Sequence, residues 1–545
     1  LITVRSTFDS SSPRTGFDFE NYRPLWDSST LTLREAVLLA DDGSGIDFKA
    51  DWRINGTVDT ALPGGIVINE LDADGNLIID LVSELQITRS TTVDFYPIPT
   101  IHVVIDNMIN GAFTWIDGNG ITHAGKTNWV DADGVTHAGG TNQLNAAANS
   151  RILNVDSATA NWLSAVTIGN FTMNGGNVSG NGGGIFSAAN LLLDNVIVQN
   201  CAATGVYTAK GAYSSDGLGG GIYSDAGYLK LTNSRVTGNN AVMGGGIYYA
   251  SWNNSVNTGL YVSASSILNN SAKDSTLTRG DGGGIYLQSG DAKIEYSAIG
   301  LNKAVSDGGG VFVATSNAAL NIFNSTVANN TTGRNGAGIS FYSNSTLDLN
   351  FATVANNQSG WSVNGTASGN PYAFGGGICM NSGSLNIANS ILAQNYRGSS
   401  TATAPLHDDL YLKNFSPNTI DYSVYGAVDG IKNPNGTPRY ALTVSNSTHV
   451  TNWNTFAGKL DTRIINNGGK TETVFVIDNS FFQTADTAYP LQVDQTLTYV
   501  WDYRSTAGAL ERAPRIYYYI DGEIGKGAYN PLSVSDGGSR WVSAN

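Results

Sequence analysis

Three short segments of this chain place oxygen-bearing side chains two residues apart beside a glycine, an arrangement that suits a hard cation. The paired residues are Asp72 and Asp74, Asp117 and Asn119, and Asp131 and Asp133. None of the segments continues to the bidentate glutamate of an EF-hand calcium loop, and Asp-Gly is also ordinary turn chemistry. The sequence therefore leaves two interpretations open, a structural calcium site or plain polar turns, and it indicates no other cofactor.

Histidines and carboxylates do not form an evident catalytic group in the sequence. The most enzyme-like segment is His407-Asp408-Asp409, but it follows the last regular repeat described below. A glycosidase needs two facing carboxyl groups, and no pair of carboxylates recurs at one place in successive repeats. We therefore predict no catalytic residue and no enzymatic activity, with a polysaccharide lyase or glycosidase as the alternative function.

Aromatic side chains recur at one place in the sequence. In five successive repeats an aromatic residue directly follows a branched aliphatic residue, at Phe186, Tyr223, Tyr248, Tyr286 and Phe312. Because side chains alternate along a strand, an inward aliphatic residue predicts that these rings form a stripe on the outer surface. The stripe would stack sugars or pack against another protein, unless its rings only stack on one another. Trp252 and Trp361, in predicted loops, are further binding candidates.

A glycine-based repeat must position these residues. A glycine cluster followed by Ile or Val occurs seven times, from Gly182-Gly183-Gly184-Ile185 to Gly375-Gly376-Gly377-Ile378. Successive aliphatic positions lie 25 to 39 residues apart. A period of this length is typical of the stacked coils of a solenoid. A sandwich of antiparallel hairpins would instead show turn signals about every 8–12 residues, without a fixed place in a longer period.

Each repeat also has an internal pattern that predicts three short strands. In the second copy, Leu229 and Leu231 form an apolar-x-apolar pair, which is followed by Val236 and then by Asn239. Apolar residues two apart lie on one face of a strand, so these side chains are predicted to form the core. Asn at a corner tolerates left-handed backbone, and its recurrence predicts a ladder of side-chain hydrogen bonds from coil to coil. The ladder residues are Asn239, Asn270, Asn302, Asn330, Asn357 and Asn395.

The predicted fold is all-β, a parallel β-helix with atypical ends that cover its open core. Residues 1–95 are predicted to form an N-terminal cap with a short helix around Leu33. Residues 96–165 are predicted to be early coils with a duplicated insertion, and residues 166–400 the regular β-helix. Residues 401–545 lose the glycine signature and are predicted to be terminal coils and a C-terminal cap.

Charge and composition argue against some partners. The net charge of −15 disfavours nucleic acid, because phosphate binding needs clustered Lys and Arg. No apolar run approaches the roughly 18 residues of a membrane helix, so no membrane span is predicted. The chain begins with Leu1 rather than Met, which we interpret as a processed, secreted protein, although a fragment of a longer protein would begin in the same way. Cys201 and Cys379 fall in the first and seventh glycine repeats, too far apart for a disulfide, and are predicted to be free.

The repeats resemble those of bacterial cell-surface β-helix proteins of the polymorphic outer-membrane-protein type. Gly-Gly-Gly-Ile followed by an Asn corner is similar to that family's repeat, and Leu33-Arg34-Glu35-Ala36 is similar to the helix that precedes its solenoid. Asn466-Asn467-Gly468-Gly469 and Asp521-Gly522-Glu523-Ile524 resemble its closing elements. The resemblance implies a right-handed parallel β-helix that is secreted or displayed on a cell surface, adhesin-like, and without established catalytic residues.

The expected function is therefore that of a non-enzymatic, extracellular structural or adhesin-like protein. Self-assembly into a filament, sheath or surface layer is one form of this expectation. The expected partners are copies of the chain itself, other surface proteins and glycans. A glycan-binding module on a β-helix is a further alternative.

Overall fold

Short runs of alternating apolar residues form short strands, and these strands stack in parallel from one repeat to the next. The chain divides into two units, unit 1 with Leu1–Ala241 and Ser251–Thr258, and unit 2 with Val242–Ala250 and Gly259–Asn545. The computed structural model describes residues 2–4, 6, 9, 31–39, 45–48, 51–54, 57–59, 66–68, 70–71, 77–88, 102–106, 114–116, 122–124, 129–130, 136–137, 142–156, 165–169, 171–205, 217–225, 227–251, 259–275, 277, 279–361, 373–398, 406–413, 417–421, 423–430, 438, 441–445, 447–449, 460–467, 470–477, 500–501 and 539–540.

Each regular coil contributes one strand to each of four sheets, one strand more than the three that the sequence predicts. We call the sheets S1 to S4 in the order in which they follow a glycine cluster along the chain. In unit 1, S1 contains Leu85–Thr88, Leu153–Asp156, Ile185–Ser187 and Ile222–Ser224. S2 contains Ile2–Val4, Gly45–Phe48, His102–Asp106, Ala165–Gly169, Asn190–Asp194 and Tyr228–Thr232. S3 contains Leu77–Asp80, Asn142–Asn145, Thr172–Asn174, Ile197–Gln199 and Arg235–Thr237, and S4 contains Asn177–Val178, Ala202–Ala203 and Asn240–Ala241.

Unit 2 repeats the same order of sheets. S1 contains Ile247–Tyr249, Ile285–Leu287, Val311–Val313, Ile339–Phe341, Ile378–Met380, Leu410–Leu412 and Val428–Gly430. S2 contains Gly259–Ser263, Ala292–Glu295, Ala319–Phe323, Ser345–Asn350, Gly383–Ala388, Pro417–Asp421 and Ala441–Ser445. S3 contains Ser266–Leu268, Ala298–Gly300, Thr326–Ala328, Thr353–Ala355, Ile391–Ala393, Val424–Tyr425 and Thr448–His449. S4 contains Ser271–Ala272, Lys303–Ala304, Thr331–Thr332, Gln358–Ser359, Tyr396–Arg397 and the antiparallel strand Leu406–His407.

One coil of unit 2 shows how the sequence builds the core. Ile285 on S1, Ile294 on S2 and Ile299 on S3 are at most 1% exposed, so all three sheets turn aliphatic side chains inward. The chain turns sharply at the next glycine cluster. Gly308 there has a φ of 66°, a backbone conformation that favours glycine. A Cβ atom on Gly310 would lie only 2.5 Å from the carbonyl oxygen of Gly338 in the following coil. The predicted all-β parallel β-helix is thereby confirmed.

The duplicated insertion of unit 1 forms two equivalent hairpins. Thr114–Ile116 pairs antiparallel with Thr122–Ala124, and Trp129–Val130 pairs antiparallel with Thr136–His137. Trp115 is opposite His123 in the first hairpin, and the duplicated Trp129 is opposite His137 in the second. The remaining strands are Asp51–Ile54, Thr57–Asp59, Ile66–Ile68 and Glu70–Leu71 in unit 1, and Leu460–Asn467, Lys470–Ile477, Val500–Trp501 and Ser539–Arg540 in unit 2.

The helix Leu33–Leu39 in unit 1 is fixed at its first turn and by an ion pair. Thr32 and Glu35 form a capping box, because each backbone N–H donates to the other side chain, at 3.1 and 3.2 Å. Arg34 donates to both carboxylate oxygens of Asp9 at 2.7 Å, and also to the carbonyl oxygens of Ser83 and Glu84. The Leu-Arg-Glu sequence therefore attaches the helix to the segment before strand Leu85–Thr88. Among the described residues, no helix is both long and apolar enough to cross a membrane.

Candidate functional site

The predicted asparagine ladder runs through the interior of unit 2. Asn302 Oδ1 accepts hydrogen bonds from the backbone N and from Nδ2 of Asn270, both at 3.0 Å. Asn302 Nδ2 donates in turn to Asn330 Oδ1 at 3.0 Å and to the carbonyl oxygen of Ile267 at 2.9 Å. The same contacts continue through Asn357 and Asn395, and every ladder residue of unit 2 is 0% exposed. Each amide is thus fully paired within the core, where an unpaired amide would be costly.

In unit 1, Asn239 occupies the same place in the repeat. Its Oδ1 accepts the backbone N–H of Cys201 at 2.9 Å, and its Nδ2 donates to the carbonyl oxygen of Val198 at 3.0 Å. Cys201 stands where the other repeats have Asn, so at this step the ladder uses the backbone N–H of Cys201 and has no amide side chain from that repeat. Both cysteines of the chain are free and buried.

The ladder of unit 2 ends on a carboxylate. Asp409 Oδ1 accepts the backbone N–H and the Nδ2–H of Asn395, both at 2.8 Å, and Asp409 Oδ2 accepts the N–H of Ala427 at 2.7 Å. All three groups that hydrogen-bond to Asp409 are donors, so an amide nitrogen could not replace Oδ2 without losing a hydrogen bond. Asp409 is 0% exposed, and burial raises its pKa to about 8, against the opposing effect of these donors.

The neighbouring Asp408 belongs to a small charged cluster beside the end of the ladder. Its Oδ2 accepts the N–H of Gly375 at 2.8 Å and lies 3.8 Å from Nε of Arg397. Nη2 of Arg397 lies 3.8 Å from Oδ2 of Asp429, so the guanidinium is placed between the two carboxyls. Asp408 Oδ1 is buried and, within the described part of the chain, has no hydrogen-bond partner. Burial raises the pKa of Asp408 to about 6, and its 1% exposure leaves the carboxyl out of reach of a substrate in solution.

In three successive repeats of unit 2, the residue before the glycine cluster belongs to another polar column, formed by Asp281, Asp307 and Asn335. Asp281 Oδ1 accepts the N–H of Asp307 at 2.9 Å, and Asp307 Oδ1 accepts the N–H of Asn335 at 2.9 Å. Arg334 Nη2 lies 2.8 Å from Asp307 Oδ2. Burial, and then repulsion by Asp307, raise the pKa of Asp281 to about 7. This column was not predicted, although its signal in the sequence is an Asp or Asn directly before three consecutive glycine clusters.

A serine ladder, also missed from the sequence, lies at the bend between S2 and S3 of unit 2. Ser297 Oγ accepts the N–H of Ser265 at 3.1 Å, and Ser325 Oγ accepts the N–H of Ser297 at 3.0 Å. Each hydroxyl donates to the carbonyl two residues earlier, as Ser297 does to Glu295 at 2.7 Å. The sequence signal is a Ser two positions before the S3 aliphatic residue, as in Ser297 before Ile299.

The rings of the aromatic stripe stack in a column, as predicted, but most of them are not exposed. In unit 1 the rings of Phe186 and Tyr223 are stacked with centroids 5.2 Å apart. In unit 2 the Tyr248 and Tyr286 centroids lie 5.0 Å apart, and the Tyr286 and Phe312 centroids 5.1 Å apart. Phe186 is half-buried below Arg151, but the other four rings are 5 to 8% exposed. The expected surface exposure is therefore wrong for these four rings, because alternation determines which side of the strand a ring takes but not whether that side is covered.

Of the other predicted binding and metal residues, the structure describes Trp361. Trp361 is half-buried, and its backbone N–H donates to the carbonyl oxygen of Thr332 at 2.9 Å. Trp252 lies outside the described residues, as do the six proposed calcium ligands Asp72, Asp74, Asp117, Asn119, Asp131 and Asp133. Among the residues that the structure does describe, no three His, Cys, Asp or Glu side chains are grouped to hold a metal ion.

The side chains brought together in unit 2 therefore hold one coil to the next through buried hydrogen bonds. Comparison with protein-family models, with curated protein sequences and with solved structures gives no significant match to this chain.

Proposed function

We propose that this chain is a non-enzymatic, extracellular structural protein of the adhesin-like type, displayed on or near a cell surface. The observation that carries the proposal is the asparagine ladder of unit 2, in which Asn270, Asn302, Asn330, Asn357 and Asn395 form one continuous column of paired amides. Such a column favours a single rigid arrangement of the coils, because any slip in register would leave buried amides unpaired. A rigid repeat that holds surfaces at fixed spacing suits a scaffold.

The charged groups of unit 2 support a structural role in the same way. Asp408 and Asp409 are buried, and Asp408 accepts one backbone N–H group whereas Asp409 accepts two. Asp307 likewise accepts from the backbone of Asn335. Burial raises the pKa of Asp408 and of Asp409, and raised carboxyl pKa values are common in active sites, but structural networks perturb pKa values as well.

The proposed partners are copies of the chain, other surface proteins and glycans. Self-association into a filament, sheath or surface layer is the form of the function that is simplest to test. The acidic pairs around Asp72, Asp117 and Asp131 are proposed to bind calcium, which would then stabilise the assembled form.

Electron microscopy of the purified full chain, with calcium or with a chelator, tests the proposal. Regular filaments or sheets are the expected result, and their dissolution by the chelator would place calcium in the assembly. Isolated particles under every condition would refute self-assembly. Fractionation of the producing cells, with an antibody against the chain, tests the surface location, and a purely cytoplasmic signal would refute it. Release of reducing or unsaturated sugars from a polysaccharide panel would instead favour the enzymatic alternative.

A further inference from the structure

A second group of aromatic side chains lies at the bend between S2 and S3 of unit 2. We call this group the aromatic edge, and it consists of Tyr296, Phe323 and Phe351 on three successive coils. The ring centroids of Tyr296 and Phe323 lie 5.6 Å apart, and those of Phe323 and Phe351 lie 5.7 Å apart. Both pairs are edge-to-face, with interplanar angles of 87° and 81°. Four of the five rings of the S1 stripe are buried, whereas all three side chains of the aromatic edge are half-buried.

The backbone of the aromatic edge is unusual. Tyr296 has a φ of 52° and Phe351 a φ of 54°, in the left-handed region that bulky side chains rarely adopt. Asn324 and Asn389 occupy the same bend in other coils, with φ values of 45° and 51°. Asn tolerates this conformation much better than an aromatic residue does. Two coils therefore carry a ring where the fold prefers Asn, and strain of this kind is concentrated at functional sites.

Polar groups on the outer face of S2 lie in register beside these rings. Asn321, Asp348 and Asn386 follow one another directly across three strands, and their side chains are exposed or half-buried. Asn350, paired with Phe323 in the register, accepts a hydrogen bond from Asn389 Nδ2 at 3.0 Å. Amides present both donors and acceptors, which is what the hydroxyl groups of a sugar require. Aromatic faces pack well against the C–H faces of a sugar ring.

The charges of this face favour an uncharged ligand. The ammonium group of Lys293 lies 2.7 Å from the carboxylate of Glu295, so its charge is balanced by a neighbour on the same strand. Asp348 adds a negative charge, and the whole chain carries a net charge of −15. A phosphate backbone or an acidic polysaccharide would be repelled. Three rings on adjacent coils also form a small patch in comparison with the roughly 1,000 Å² that a stable protein interface buries, which favours a sugar chain over a protein partner.

From this geometry we propose that the aromatic edge and the adjoining amides of S2 bind an uncharged polysaccharide, with the sugar chain running from coil to coil. The proposal rests on the adhesin-like function, for which it names the class of ligand. It replaces the S1 stripe as the glycan-contacting surface, because the aromatic edge is accessible and most rings of the stripe are buried.

Replacement of the two strained aromatic residues by Asn, the residue found at this bend in other coils, tests the proposal. Tyr296→Asn and Phe351→Asn place in these coils the same residue that is found at Asn324 and Asn389, so the double variant should fold as well as the unmodified chain or better. Binding is measured as retention of the full chain on particles of cellulose, chitin and insoluble mannan. A polygalacturonate gel provides the charged comparison. Tyr342→Asn is the control, since Tyr342 is 64% exposed and lies outside the aromatic edge.

The expected result is retention on at least one neutral polysaccharide, reduced at least tenfold in the double variant and unchanged in Tyr342→Asn. The urea midpoint of the double variant should be equal to or above that of the unmodified chain. Equal retention of the double variant would overturn the proposal, and so would the absence of retention on all three neutral polysaccharides. Loss of self-association without any effect on retention would identify the patch as an interface between copies and would also overturn it. Retention is measured with dissolved protein and does not require filaments. A failure of self-assembly would therefore not affect this test of polysaccharide binding.

Discussion

Asp409 accepts both the backbone N–H and the side-chain N–H of Asn395 at 2.8 Å, in the place where every earlier coil of unit 2 has an asparagine. Its second oxygen accepts the N–H of Ala427 at 2.7 Å. The next group along the column is the backbone N–H of Ala427, which is a donor, whereas in earlier coils it is the acceptor oxygen of an Asn side chain. The ladder therefore has the carboxyl group of Asp409 at this point in place of an amide. The residue type at each ladder position thus matches the donors and acceptors of its neighbours.

The first prediction concerns the middle of the ladder. Asn330→Ala removes the acceptor for two N–H groups of Asn302 and leaves the carbonyl oxygen of Ile299 without its donor. Because these groups stay buried, we expect a loss of about 2–4 kcal/mol in the free energy of unfolding. Urea denaturation measures it. Asn321→Ala, at a half-buried outward position on S2, is the control and should change stability by no more than about 0.5 kcal/mol.

The second prediction concerns pH. Burial raises the pKa of Asp409 to about 8 and that of Asp408 to about 6, from an ordinary value of 3.8. The folded chain then keeps protons that the unfolded chain releases, so the contribution of both groups to stability is greatest below about pH 4 and falls as the pH rises. For Asp409 the fall extends to about pH 8, whereas for Asp408 it ends near pH 6.

Asp409→Asn tests this assignment. The variant loses the acceptor for the N–H of Ala427, so it should be less stable at low pH, but its stability should fall less between about pH 4 and pH 8. Urea midpoints at several pH values give the slope. Asn330→Ala removes no titrating group from the same ladder, and it should keep the slope of the unmodified chain. An unchanged slope in Asp409→Asn would show that Asp409 does not carry this pH dependence.

The third prediction concerns the buried S1 rings. Tyr286 is 5% exposed and is stacked between Tyr248 and Phe312, so Tyr286→Ala should lower the free energy of unfolding by about 3–5 kcal/mol. Tyr286→Phe keeps the ring and should cost about 1 kcal/mol or less. Neither variant should weaken glycan retention per folded molecule. A selective loss of retention in Tyr286→Ala, at full stability, would return the binding role to the S1 stripe.

The fourth prediction concerns the helix of unit 1. Arg34 donates to both oxygens of Asp9, whose side chain is only 2% exposed. Arg34→Ala leaves that carboxylate buried without its partner, and we expect a loss of about 3–5 kcal/mol. Arg34→Lys retains the charge but not the bidentate hydrogen bond to Asp9, so its stability should lie between those of Arg34→Ala and the unmodified chain. Limited proteolysis in the region of residues 31–39 measures the effect. Equal protection in all three proteins would show that this ion pair does not stabilise the helix.

The coil architecture was predictable because each coil reuses one backbone path and therefore one spacing of residues. The ladder up to Asn395 followed from that spacing. Asp409 did not, because it comes only 14 residues after Asn395, well short of the regular period. The S1 rings were assigned to the correct column, but burial depends on what covers the sheet, and periodicity carries no such information. The aromatic edge was missed because Tyr296 and Phe351 replace Asn at a bend, where strand alternation does not apply.

The asparagine ladder also has an electrical direction. Every amide from Asn270 to Asn395 donates toward the following coil, so the side-chain dipoles of the column are parallel. Parallel amide dipoles add, as peptide dipoles do along an α-helix, and the N–H end of the column carries the partial positive charge. That end faces the carboxyl group of Asp409. The buried acid thus occupies the positive pole of a dipole that the preceding coils have built.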